Sequence, residues 1–96
     1  MTHYYLTLTT QNVAYELSAL IEAASPGANV SAPTRIVIQS AKGNAGDIYI
    51  GGSGLSATNY GRVLLTAGDS AEISNTARGV YVLGDAASQI ISVLFL

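Results

Sequence analysis

The sequence predicts a mostly-β domain, an antiparallel β-sandwich or small jelly-roll-like barrel with one short N-terminal helix. Three observations point there. The chain starts with a period-two alternation, β-branched runs then recur roughly every 8–12 residues with Gly, Asn and Asp between them, and one stretch alone has helical spacing of apolar residues. A chain of 96 residues has room for one core, because at this size about two-thirds of the unfolded surface is buried on folding. No linker or internal repeat divides it, so residues 1–96 are expected to form a single domain.

Residues 4–9 place Tyr4, Leu6 and Leu8 on one side and Tyr5, Thr7 and Thr9 on the other, the signature of a half-buried strand. Asn12 can cap a helix over residues 12–24, in which Val13, Leu17, Leu20, Ile21 and Ala24 make one stripe while Glu16 and Glu22 lie off it. Pro26-Gly27 ends it, and residues 25–33 read as a polar loop holding both prolines.

Ile36, Val37 and Ile38 suggest a strand covered on both faces. Residues 42–46 are turn material, and Ile48 and Ile50 share one side of the next strand. A long flexible glycine-rich loop is expected over residues 51–61, a strand at residues 63–66, a turn at Ala67-Gly68-Asp69, and a brief strand at residues 71–74. Residues 80–83 and 89–96 close the chain as strands on either side of Gly84-Asp85-Ala86-Ala87. The apolar run Ile90, Ile91, Val93, Leu94, Phe95, Leu96 must be a central strand or an edge paired with a neighbouring subunit, since exposed it would aggregate.

Composition narrows function mainly by exclusion. Four basic and six acidic residues leave a net charge of −2, with no electrostatic footprint for nucleic acid or anionic lipid. There are no cysteines, and a single histidine, His3, has no ligand partners for an ordinary zinc site. No segment reaches the roughly 18 apolar residues of a membrane helix, and the start lacks a basic region followed by an apolar run. The expectation is a protein made and kept in a cytoplasm unless it leaves inside a larger particle. Only 10% of residues are charged, against about 25% in soluble domains. Thr, Ser, Asn and Gly must then coat the surface, or other subunits must cover it.

Candidate chemistry is thin. Gly52-Ser53-Gly54-Leu55-Ser56-Ala57 mimics a dinucleotide fingerprint, but Thr58-Asn59-Tyr60-Gly61 would break the helix that fingerprint needs. Gly68-Asp69-Ser70 resembles a hydrolase nucleophile segment, yet its serine would depend on His3 at a frayed N-terminus. It reads better as a tight turn. Asp47, Asp69 and Asp85 sit in turn-like segments and read as solvated carboxylates rather than calcium ligands. No catalytic, cofactor or metal residue is assigned, and no enzymatic activity is expected. Of the six tyrosines, Tyr49 and Tyr81 read as strand packing and Tyr60, beside Arg62, as exposed.

One ordered set of segments carries more. Ile36-Val37-Ile38-Gln39-Ser40-Ala41 is followed by Gly46-Asp47-Ile48-Tyr49-Ile50-Gly51-Gly52, then by Gly61-Arg62-Val63-Leu64-Leu65-Thr66-Ala67-Gly68-Asp69-Ser70, then by Val80-Tyr81-Val82-Leu83-Gly84-Asp85 and a final apolar strand. From residue 36 onward this order resembles small β-sandwich virion proteins of tailed bacteriophages, particularly capsid decoration (cement) proteins. The resemblance implies a non-enzymatic protein on the outer surface of the head shell, made in the host cytoplasm and carried on the virion. Its partner would be the major capsid protein, with no cofactor, no direct nucleic-acid contact and no membrane. A homo-oligomer is expected, because side-by-side copies make modest single-site affinity effective. From the uncharged surface and the apolar termini, subunit or capsid contacts are expected at Tyr4, Tyr5, Tyr60, Arg62, Leu94, Phe95 and Leu96. The alternative is a receptor- or glycan-binding module of a tail fibre or spike, presenting Tyr60 to a sugar.

Overall fold

A computed structural model describes residues 2–65 and 67–96. Eight strands and one helix follow one another: β1 (Thr2–Leu8), β2 (Tyr15–Glu16), α1 (Leu17–Ala24), β3 (Ile36–Ser40), β4 (Ile48–Gly51), β5 (Arg62–Leu64), β6 (Ser70–Ile73), β7 (Tyr81–Gly84) and β8 (Gln89–Phe95). They form two four-stranded antiparallel sheets, sheet A in the order β1-β8-β3-β6 and sheet B in the order β2-β7-β4-β5. That order, in which successive strands change sheet except at the β4–β5 hairpin, is an eight-stranded jelly roll in its open, double-sheet form. The expected sandwich is present; no closed barrel forms among the described residues.

Period-two side-chain alternation builds the core. Leu6 and Leu8 of β1, Ile36 and Ile38 of β3, and Ile91 and Val93 of β8 face inward from sheet A. They meet Ile48 and Ile50 of β4, Leu64 of β5 and Val82 of β7 from sheet B. Each fully buried Ile or Leu contributes about 1.5–3 kcal/mol. β8 is central in sheet A, with β1 on one side and β3 on the other. The apolar run of residues 90–96 is therefore covered by its own chain along its backbone. β3 is not covered on both faces: Ile36, Ile38 and Ser40 are buried, whereas Val37 is half-buried and Gln39 exposed.

The helix is shorter than residues 12–24. Asn12 does not cap it but adopts a left-handed turn (φ 59°), with its N–H bonded to Gly84 O at 2.8 Å. Tyr15 and Glu16 pair with Val82 and Tyr81, which holds the chain extended up to residue 16. Val13 is exposed, off the buried face of Leu17, Ser18 and Ile21. Glu16 is the cap: its carboxylate accepts the Ala19 N–H and the Ser18 hydroxyl, and also the Gly79 N–H from across the fold. Charged capping of this kind satisfies amides that a helix start leaves open.

Residues 52–61 form a loop that carries its own local bonds. Ser56 and Asn59 form a β-bridge, Asn59 Nδ2 donates to Gly54 O, and Leu55 is buried against Gly51, where a Cβ would meet its Cδ1 at 3.2 Å. β5 begins one residue early, at Arg62, and ends at Leu64; Thr66, the end of the expected strand, lies outside the described residues. Gly68 supplies the left-handed residue (φ 91°) of the turn before β6, and Asp69 Oδ1 accepts the Ser70 N–H. His3 lies on β1 opposite Leu94, not on a frayed end.

Candidate functional site

The two ends of the sandwich differ. At one end, side chains bond to backbone and stitch the sheets together. Asn44 donates to Ser40 Oγ (2.9 Å) and Ile90 O (2.7 Å) and accepts the Ile90 N–H (2.9 Å). Gln89 is buried, and its Oε1 accepts the N–H groups of Ala45 and Gly46 at 2.9 and 3.3 Å. Asp85 Oδ1 accepts the Asp47 N–H at 2.7 Å, so Asp85 is a half-buried clamp and not a solvated turn carboxylate. Two glycines make room. A Cβ on Gly46 would collide with the Asp85 carboxylate, and one on Gly84 would come within 3.0 Å of Gln89 Cγ.

At the opposite end the sheets part into two open clefts. One, of about 320 Å³, has an apolar floor of Ile50, Ile73 and Val80 between glycine walls at Gly51 and Gly79, with Arg62 at its rim. The other, of about 330 Å³, lies between Thr2, Ala32, Pro33, Phe95 and Leu96.

The expected contact residues are brought together in part. Tyr4 and Phe95 turn inward and pack edge to face, with ring centroids 5.2 Å apart; both are partly buried against the core. Tyr5 and Leu94 point the other way, onto the outer face of sheet A, where Tyr5 is 64% exposed. Leu96 follows β8, exposed, with its N–H bonded to Arg35 O. Arg62 opens β5 of sheet B and Tyr60 lies just before it, and Gly61 between them bonds Ile50 O at 2.9 Å. Tyr60 is exposed, as its setting suggested, and tilts on Tyr49 at 4.9 Å and 55°. Arg62 is directed to the seam between the sheets rather than to the Tyr60 side.

The outer face of sheet A was not singled out by sequence reasoning. Strand register lays out two rows across it, His3–Leu94–Val37–Glu72 and Tyr5–Ser92–Gln39–Ser70, with Thr7 beside Ile90. Glu72 is the one carboxylate in those rows, and it pairs with Arg35 at 3.2 Å. The signal was the odd-even pattern of residues 90–94. It could be read only once β8 was known to be central.

Electrostatics are quiet. Burial opposes ionisation of Glu16, but bonds from the Ser18 hydroxyl and the Gly79 and Ala19 N–H groups, with the Arg78 charge, hold its carboxyl below the ordinary 4.5. Desolvation pushes the Tyr49 phenol up, helped by the nearby Asp85 and Asp47 carboxylates. Hydrogen bonds from Thr10 and Thr9 lower that of Tyr15. Among the described residues no three His, Asp or Glu side chains converge.

No relative decides the matter. The sequence matches no family model, no curated protein and no solved structure. Function must be argued from the surfaces themselves.

Proposed function

We propose that this chain is a non-enzymatic structural protein of a tailed-bacteriophage virion: a capsid decoration (cement) protein that binds and stabilises the outer surface of the head shell. The observation that carries this reading is the outer face of sheet A. Tyr5, Leu94, Val37 and Ile90 share it with hydroxyls and amides, and its one carboxylate is already ion-paired. A face with so little charge is suited to being covered, because interface cores are depleted of charged residues and enriched in tyrosine. The low charged fraction extends the argument to the rest of the surface. The segment order from residue 36 supports the assignment, as does the jelly-roll architecture, which recurs in viral capsid and lectin domains. Fold alone does not assign function. The major capsid protein is the partner in this reading, and the capsid surface the site of action.

The test is sedimentation of the purified protein with expanded empty heads of the phage that encodes it. Co-migration at a fixed ratio to the major shell protein is expected. Leu94→Glu, which changes the outer face but leaves the β8 backbone ladder in place, should abolish co-migration without altering the circular dichroism spectrum. Free protein remaining at the top of the gradient with wild-type chain rejects the reading.

A second reading has its own observation. Exposed Tyr60, tilted on Tyr49, would serve as the aromatic platform of a glycan-binding module in a tail fibre or spike. Binding on a glycan array, lost in Tyr60→Ala, would support it.

A further inference from the structure

The four sheet edges are unequal. β2 has two residues, β5 has three and begins with Arg62, and β6 has four and carries Glu72 in its ion pair. These are the ways natural sheets protect an edge: shortness and charge. β1 has neither. It runs seven residues, Thr-His-Tyr-Tyr-Leu-Thr-Leu, with unbroken register to β8 and no Asp, Glu, Lys, Arg, Pro or Gly.

The ladder fixes which backbone groups are free. Ala41 N–H bonds Ile90 O, and Leu96 N–H bonds Arg35 O, so the even-numbered residues of β8 face β3. In an antiparallel ladder bonded and non-bonded pairs alternate. The odd-numbered residues of β8 therefore bond Thr2, Tyr4, Leu6 and Leu8. The N–H and C=O groups of His3, Tyr5 and Thr7 then point away from the sheet. Among the described residues no strand pairs with that side.

We propose that this edge is a homodimer interface, in which β1 of a second copy adds antiparallel about a two-fold axis through Tyr5. The register places Tyr5 opposite Tyr5 and His3 opposite Thr7 as bonded pairs, so every free backbone group finds its complement. On the inner side Tyr4 meets Leu6 in both directions. A self-paired strand with a charge near its centre would set like charges against each other; β1 has none, which is the composition that a second copy of itself tolerates. Isologous pairing also closes on itself, giving one continuous eight-stranded sheet rather than a fibre. The inference does not depend on the virion assignment, since it rests on the edge and its register alone.

The experiment is sedimentation velocity of the full chain together with amide hydrogen exchange. Wild type should sediment as a dimer at about 100 µM, with the amides of His3, Tyr5 and Thr7 protected. Tyr5→Lys should raise the dimer dissociation constant at least about tenfold by setting two ammonium groups face to face, with a thermal midpoint equal to that of wild type once both are diluted to monomer. Ser70→Lys, on the guarded β6 edge, should leave the dimer intact. A wild-type monomer at that concentration overturns the proposal. So does a dimer in which the His3, Tyr5 and Thr7 amides exchange freely, because that dimer would use another surface. Loss of shell binding with the dimer intact would count against the capsid reading alone.

Discussion

The Asn44–Gln89 end and the two-cleft end of the sandwich use the same strands yet are held by different physics. At the first, three side chains replace the ladder bonds that strands lose where the chain turns, and two buried or half-buried glycines let those side chains in. At the second, the sheets separate over Ile50, Ile73 and Val80, and the long-range side-chain ties include the Glu16 carboxylate on the Gly79 N–H and Arg78 on Ser31. A small domain can therefore concentrate rigidity at one end and leave apolar surface accessible at the other. Buried polar bonds are worth most when complete; the stitched end gathers several around Asn44, Gln89 and Asp85, but Gln89 Nε2 stays buried there without a partner.

Perturbing each end in turn tests that contrast. Leu8→Ala, a fully buried side chain next to the stitched end, should cost about 2–5 kcal/mol by urea denaturation. Asn44→Ala removes three bonds and strands the Ile90 N–H, while Ile90 O keeps the Ala41 N–H; about 2–3 kcal/mol is expected. Near-neutrality there would break the comparison. Gly46→Ala should cost about 1–2 kcal/mol by driving the Asp85 carboxylate off the Asp47 amide. Adding it to Asp85→Ala should then cost little more, and full additivity would show that Asp85 is not what the methyl group meets.

At the open end, Glu16→Gln should cost about 1 kcal/mol at neutral pH. The sign of its pH dependence follows from the lowered carboxyl. Between the ordinary 4.5 and the lower folded value, the unfolded chain holds more protons, so the Glu16 contribution is complete above that window and disappears as pH falls through it. The wild-type and Glu16→Gln stability curves should converge in acid; parallel curves would remove Glu16 from the account. Smallest of all, Arg35→Ala should change stability by less than about 1 kcal/mol, its ion pair with Glu72 being half-exposed on both sides.

Much of this was legible in the sequence, and the gaps have physical causes. Alternation in residues 4–8 gave the buried face of β1, since one side chain in two must reach the core. The helix was overextended at its start because Val13 fits a helical stripe by spacing, while the pairing of Tyr15 with Val82, a contact distant in sequence, holds that segment extended. Carboxylates in glycine-flanked turns look solvated when read locally. Only the fold brings Asp47 and Asp85 together. The contact residues divided for the same reason: neighbours such as Tyr4 and Tyr5 fall on opposite faces of one strand, so adjacency in sequence does not make a patch.

The central position of β8 also bears on how the chain reaches its fold. β1 pairs with β8 alone, so the first strand waits for one from the far end of the sequence. Non-local pairing of this kind slows folding toward the millisecond-to-second range. During synthesis an uncharged, strand-forming heptapeptide stays unpartnered while most of the protein is made around it. Crowded nascent chains would meet first through that segment, so yield in the cell should depend on expression rate as well as on stability. A charged residue at Tyr5 should raise soluble yield even where it leaves the folded protein unchanged.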